Sequence, residues 1–204
     1  MVAAASVARK NAMSTVTYRT RRWSRGEYER LIEQGAFGRD ERLELIAGEL
    51  VVREPQGDSH ALAIELVHEA LRAAFGPGWR IRGQLPINLD DESRPEPDFS
   101  VVRGTPRQAV NPVPSRSVLI VEIAESSLAF DRTTKASLYA RAGIQDYWIL
   151  DLTRRLLVVH RAPSLAPAAP YGWHYQVVQS LTAGDVISPL AAAHASIAVA
   201  DLLP

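Results

Sequence analysis

Val118-Leu-Ile-Val-Glu-Ile-Ala124 is the most apolar run in the chain, and a single charged residue, Glu122, interrupts it. In a strand alternate side chains share a face, so Val118, Ile120, Glu122 and Ala124 are expected on one side and Leu119, Val121 and Ile123 on the other. A carboxylate inside so apolar a strand needs a partner, because burying an unpaired charge is very costly. That partner is either a cation held for chemistry or an arginine in a structural ion pair, unless the carboxylate escapes to water at the strand end. Asp98 stands 24 residues earlier, directly after Pro97, at the start of another short β-rich run. Alone it signifies little, since aspartates are common at strand starts. On a strand adjacent to that of Glu122 it supplies a second oxygen donor for a hard divalent ion. Mg²⁺ or Mn²⁺ is the expected cofactor, because Mg²⁺ is typically held by one or two carboxylates with water and substrate phosphate completing the shell.

A third group completes the set. Lysine occurs only at Lys10 and Lys135, and arginine supplies the rest of the positive charge. Lys135 lies 13 residues after Glu122, one turn into an expected helix from Arg132 to Ala142 that Asp131 caps and Gly143 ends. A helix packed back across the sheet aims Lys135 at the carboxylates, with Tyr139 and Ala142 on roughly the same face. A compact ammonium suits the neighbourhood of a metal-bound water. The alternative is a solvent-facing lysine, the usual state of that residue.

The elements that must position these groups follow from punctuation and periodicity. Trp23 to Phe37 reads as a helix with Ser24 at its N-cap. Leu43–Ile46 and Leu50–Val52 flank Ala47-Gly48-Glu49 as a β-hairpin. His60 to Phe75 is expected as a helix from the spacing of Leu62, Leu66, Val67, Ala70, Leu71 and Ala74, ended by Gly76-Pro77-Gly78. Strands are expected at Trp79–Arg82, Leu85–Leu89, Asp98–Val102, Val118–Ala124, Tyr147–Asp151 and Leu156–Arg161, with another β-rich stretch from Trp173. Proline-rich loops run through Pro106, Pro112 and Pro114 and across Ala162–Pro170. Periodicity does not decide whether Ile197–Leu203 is a strand or a turn. The sum is an α/β domain, a mixed sheet with helices laid on it.

Composition bounds the function. The chain has 204 residues, no cysteine, and 23 basic against 23 acidic residues. Disulfides and thiolate metal sites are excluded, which fits a cytoplasmic location. A protein that coats nucleic acid by charge alone is not expected at zero net charge. Local clusters remain at Arg19, Arg21, Arg22 and Arg25 and at Arg154 with Arg155, where scattered solvated charge is the plainer reading. No run reaches the length of a membrane span. Residues 1–20 read as a disordered leader, with Met13 as an alternative start, and residues 21–204 as one domain. No phosphate loop, nucleophile elbow or dinucleotide fingerprint occurs. His68, His160, His174 and His194 have no metal-ligand spacing.

Several stretches together resemble one family. They are Arg42-Leu-Glu-Leu-Ile-Ala-Gly-Glu-Leu-Val51, Ser59-His60 opening a helix, Pro97-Asp98, Leu119-Ile-Val-Glu-Ile123, Asp131-Arg-Thr-Thr-Lys135, Tyr139-Ala-Arg-Ala-Gly143 and Asp146-Tyr-Trp-Ile-Leu-Asp151. In order and spacing, from about Trp23 to the C-terminus, they look like the Uma family of restriction-endonuclease-like bacterial proteins, a branch of the PD-(D/E)xK nuclease superfamily. The resemblance implies a restriction-endonuclease-like core, a central mixed sheet flanked by helices with an N-terminal β-hairpin. It also implies that Asp98 and Glu122 bind metal with Lys135 beside them. The commonest superfamily pattern puts the lysine two residues after the acid; here that position is Ala124, and the helix supplies Lys135 instead. After the strand the chain has Glu125-Ser126-Ser127-Leu128 where the family shows a Ser-Pro-Ser-Thr-like run. Glu125 is thus either an extra ligand or a solvent-facing charge. Glu44, Glu49 and His60 also match family positions, the glutamates as further acidic ligands or structural hairpin residues, His60 as a phosphate contact or helper base. The implied activity is metal-dependent hydrolysis of nucleic-acid phosphodiesters, DNA foremost, by a protein expected to pair as a homodimer. The alternatives are a catalytically silent module that binds nucleic acid or protein on the same fold, and a hydrolase of smaller phosphate compounds.

Overall fold

A computed structural model describes residues 20–38, 41–53, 55–108 and 113–204. The expected leader lies outside the described residues except for Thr20, and so do Lys10, Met13, Arg19 and Pro112.

The hairpin forms where the turn residues require it. β1 (Leu43–Ile46) pairs antiparallel with β2 (Glu49–Val52), Ile46 opposite Glu49. The two connecting residues, Ala47 and Gly48, have φ of 46° and 81°, the doubly left-handed turn that matches strand twist. A Cβ at Gly48 would come within 2.7 Å of the Arg22 Cβ, so backbone geometry and packing both call for glycine there. Helix α1 (Arg25–Glu33) begins at Ser24 with a reciprocal capping box to Glu27. Its buried Tyr28 donates its hydroxyl to the Leu43 carbonyl, fastening helix to hairpin. The hairpin is tied in turn to the 90–95 loop, by Arg94 N–H to Leu45 O and Gly48 N–H to Glu92 O.

The main sheet has six strands in the order β3 (Trp79–Gly83), β4 (Phe99–Arg103), β5 (Leu119–Ala124), β6 (Asp146–Asp151), β7 (Leu156–Leu165) and β8 (Trp173–Leu181). Every neighbouring pair is antiparallel except β5 and β6. A parallel pair needs a crossover, and the helical segment from Leu128 to Arg141 is that crossover. Helix α2 (Asp58–Phe75) lays Ala63, Val67 and Leu71 on one face of the sheet against Phe99, Val101, Leu119, Val121 and Ile123. The crossover packs Ala136, Tyr139 and Ala140 on the other face with Ile120, Ala124, Tyr147, Ile149 and Val158. The alternation expected around Glu122 therefore holds within β5. Val118 departs from it: the strand begins one residue later and Val118 packs with the α2 layer.

Three further expectations change. Leu85–Leu89 is not a strand: Ile87 and Leu89 give their N–H groups to Pro95 and Ser93 in a tight local loop, and Pro86 has no N–H to give. Strand β7 continues through the expected loop to Leu165, pairing Pro163, Ser164 and Leu165 with β8. The crossover helix starts not at Arg132 but at Leu128, as α3 (Leu128–Phe130), a π-helical turn (Asp131–Lys135) and α4 (Ala136–Arg141). Asp131 is inside this helix rather than at its cap. The widened turn is held where Ala136 N–H reaches Asp131 O, a carbonyl that also accepts the Tyr147 hydroxyl at 3.0 Å. At the C-terminus both readings are realised: β10 (Ile197–Ala198) pairs with β9 (Val186–Ile187), and a 3₁₀ turn follows over Val199–Leu202.

Candidate active site

Asp98 precedes β4 by one residue, and the β4–β5 register pairs Phe99 with Val121. Extended by one position, the register sets Asp98 opposite Glu122, and opposed residues of an antiparallel pair share a face. The Ile123 N–H donates to Asp98 Oδ2 at 2.8 Å, fixing the carboxylate beside β5. Glu122 Oε1 receives two donors from the crossover helix, Lys135 Nζ at 3.0 Å and the Tyr139 hydroxyl at 2.7 Å. Lysine and tyrosine four residues apart on one helical face thus converge on one oxygen.

The hairpin closes the site from another side. Glu44 points from β1 so that its Oε2 lies 3.2 Å from Lys135 Nζ. Arg53, just past β2, sets its Nε 3.2 Å from Glu44 Oε1 and its Nη2 3.0 Å from Asp98 Oδ1. The result is a chain of alternating charge: Asp98, Arg53, Glu44, Lys135, Glu122. Asp131, from the π turn, lies 3.9 Å from Lys135 Nζ and accepts the Ser127 hydroxyl. His60, in the first turn of α2, holds its Nε2 3.4 Å from Asp98 Oδ1. All of these groups border one pocket of about 360 Å³, with Ser126, Ser127 and Glu125 on its wall.

The structure thus brings together Asp98, Glu122, Lys135, Glu44 and His60, none more than 6% exposed. Glu125 lines the pocket as an exposed wall residue, its carboxylate close to Gly57. Glu49 is exposed on β2 and is not among the residues that line the pocket. Lys135 is not the solvent-facing lysine of the plainer reading. Arg53 and Asp131 were not singled out as site residues from the sequence. The sequence signal for Arg53 was only general, that a buried acid needs a cation, and with arginine so abundant it does not choose among them. The local pattern around Asp131 fits an ordinary helix start, so the sequence by itself suggests a cap there.

Charge in the pocket is out of balance. Four buried carboxyl groups, Glu44, Asp98, Glu122 and Asp131, face two side-chain cations, Arg53 and Lys135. Burial pushes Glu122 up to about 8; Lys135 opposes this, and Asp131, Asp98 and Glu44 add to it. Burial likewise raises Asp131. Burial also works against the Asp98 charge, but the His60 ring, Arg53 and the Ile123 N–H outweigh it and hold this carboxyl below its usual value. Burial disfavours the Lys135 ammonium, yet Glu122, Glu44 and Asp131 keep it protonated. The surplus of acid is what a divalent cation would neutralise.

The donor chemistry fits such an ion. Four buried carboxyl groups line the pocket, the donor type that Mg²⁺ and Mn²⁺ prefer, and both Glu44 Oε2 and His60 Nε2 are buried without a hydrogen bond. Among the described residues no group of three or more His, Cys, Asp or Glu side chains is arranged to hold a metal ion. Asp98 and Glu122, facing each other across adjacent strands, are as many carboxylates as Mg²⁺ typically takes when water and phosphate complete its shell.

The comparisons agree with this architecture. A crystal structure of a protein from Anabaena variabilis ATCC 29413, described as "a putative nuclease belonging to DUF820", superposes with a TM-score of 0.66 over 88% of this chain and 97% of that one, at 18% identity. At that identity the likeness is one of fold. No curated protein matches the sequence. Residues 25–200 match the Uma2 family, described as "Putative restriction endonuclease", and the chain belongs to that family.

Proposed function

We propose that this protein is a divalent-metal-dependent endonuclease that hydrolyses phosphodiester bonds of nucleic acid, with DNA as its substrate. One observation carries the reading: Asp98 faces Glu122 across adjacent strands, and Lys135 donates to Glu122 at 3.0 Å in the same pocket. Asp98 and Glu122 would hold Mg²⁺ or Mn²⁺. Such an ion, when bound, supplies a Lewis acid for a phosphate oxygen and a water of lowered pKa. Tyr139 fixes the rotamer of Glu122 and leaves its second oxygen for other partners. Lys135, already protonated, offers a fixed positive charge where negative charge would develop on the phosphate, and fixed charge in a site of low dielectric needs little reorganisation. His60 is placed to steady Asp98.

The test is nicking of supercoiled plasmid with Mg²⁺ or Mn²⁺, run beside single-stranded DNA, RNA and a small phosphodiester. Wild type should nick the plasmid, EDTA should stop it, and Asp98→Asn and Lys135→Ala should each abolish it. Metal-dependent nicking retained by either variant would defeat the assignment, and preference for the small phosphodiester would move the substrate class. One observation favours the silent-module reading: Arg53 and Lys135 already engage the carboxylates. DNA bound in EDTA and never nicked with Mn²⁺ would decide for it.

A further inference from the structure

We propose that Arg53 sets how tightly this pocket holds a divalent cation, by competing with the cation for the Asp98 carboxylate; this rests on the metal-dependent reading above. The guanidinium is seated by three different groups: Glu44 Oε1 at 3.2 Å from Nε, Asp98 Oδ1 at 3.0 Å from Nη2, and the Glu96 carbonyl, which accepts from Nη1 at 2.8 Å. Asp98 is thereby committed at both oxygens, Oδ2 to the Ile123 N–H and Oδ1 to Arg53, with His60 Nε2 at 3.4 Å from the same Oδ1. An ion ligated by Oδ1 meets the guanidinium at close range. It must share that oxygen with Arg53 or turn Arg53 away.

The two cations of the pocket are not equivalent. Lys135 pairs with Glu122, Glu44 and Asp131, whereas Arg53 joins Asp98 to Glu44. A guanidinium does not give up its proton in a protein. The Arg53 charge is therefore permanent. Arg53 also borders the open pocket, its side chain 13% exposed, so it has somewhere to turn when released. Its role is one of positioning: it holds Glu44 and Asp98 in place and limits their affinity for a second cation.

The experiment is calorimetric titration of Ca²⁺ and Mn²⁺ into the full-length wild type, Arg53→Lys and Arg53→Gln, with melting curves at each metal concentration. Losing a unit charge this close to a dication should tighten binding on the order of tenfold in Arg53→Gln. Arg53→Lys keeps the charge but cannot fork across two carboxylates, so it should fall between the other two. Mn²⁺ should raise the melting temperature more in Arg53→Gln than in wild type. Equal affinity in all three proteins, or weaker binding in Arg53→Gln, overturns the inference and leaves the proposed nuclease standing. No metal binding by any of the three overturns both. If Arg53→Gln does not fold, the comparison of wild type with Arg53→Lys decides, and equal affinity there is the overturning result.

Discussion

A lysine 5% exposed among three carboxylates is held there by charge, and its removal acts on the fold as well as on chemistry. Breaking a buried pair by deleting one partner typically costs roughly 3–5 kcal/mol, because the other charge is left uncompensated. Lys135→Met should lose stability on that scale in urea denaturation. Wild-type stability in Lys135→Met would show that the ion pairs carry no weight. His160 gives a second residue-scale expectation, away from the pocket. It is buried between Tyr147 and Tyr175, with Nδ1 unpartnered. Burial, with Arg132 adding to it, lowers its pKa to about 4 from 6.5. A base with a depressed folded pKa stabilises the fold fully above pH 6.5, and that stability is lost as pH falls toward 4, since the unfolded chain binds the proton more readily. Over that interval the loss should amount to about 3 kcal/mol. His160→Phe keeps a ring in the cluster and removes the titration. Its stability relative to wild type should rise by about that amount between pH 7 and pH 4, measured by urea denaturation at each pH. A constant difference across the range would refute it.

Among the elements, the crossover helix is the one whose geometry the site depends on most. Its π turn places Asp131 and Lys135 on the pocket side and carries Tyr139 one turn further on. Single π turns inside α-helices cost regular hydrogen bonding and recur at functional sites. Deleting the exposed Thr133 should let the helix relax to α geometry and turn Asp131 out of step with Lys135 and Tyr139. Helical content should stay near wild type by far-UV circular dichroism while metal-dependent nicking is lost; full activity in the deletion would show that the widened turn is incidental. That turn also marks the limit of what was legible in the sequence. The apolar run around Glu122, the Ser24 cap and the Gly48 hairpin turn are local features, so pattern alone located them. Asp98, Glu122 and Lys135 stood out by residue type and by likeness to a family. The π turn leans on the Tyr147 hydroxyl from the strand after it, and Arg53 meets Asp98 from 45 positions away. Such long-range choices leave no periodic trace. Leu85–Leu89 failed for a related reason: its alternation suits a strand, but Ile87 and Leu89 give their N–H groups to the returning 93–95 loop and Asn88 gives its own to the distant Pro114 carbonyl.

Across the whole molecule, zero net charge is matched by local neutralisation, among the described residues, of most arginines of the clusters noted in the sequence. Arg21 pairs with Glu27, Arg22 with Glu92, and Arg25 with Glu29, so these three described arginines carry exposed or half-buried ion pairs rather than a free basic patch. Arg154 pairs with Asp151, and Arg155 donates to the Pro204 carbonyl. Each cation already engaged by an acid has less to gain from a phosphate. On the proposed function, affinity for nucleic acid is then expected to come mainly from the pocket and a divalent ion bound there, rather than from the backbone-tracking charge that gives steep salt dependence. The logarithm of the binding constant falls with the logarithm of salt at a slope of about −0.9 per phosphate neutralised on duplex DNA. With Ca²⁺ supporting binding without turnover, a labelled duplex titrated between 50 and 200 mM salt, about the range over which such slopes are read, should show a slope shallower than about −3. Removing Ca²⁺ should weaken binding more than that salt step does. A slope near −6 or steeper, about what many simultaneous phosphate contacts produce, would mean that the surface arginines exchange their acidic partners for phosphates on binding, and that contact extends well beyond the pocket.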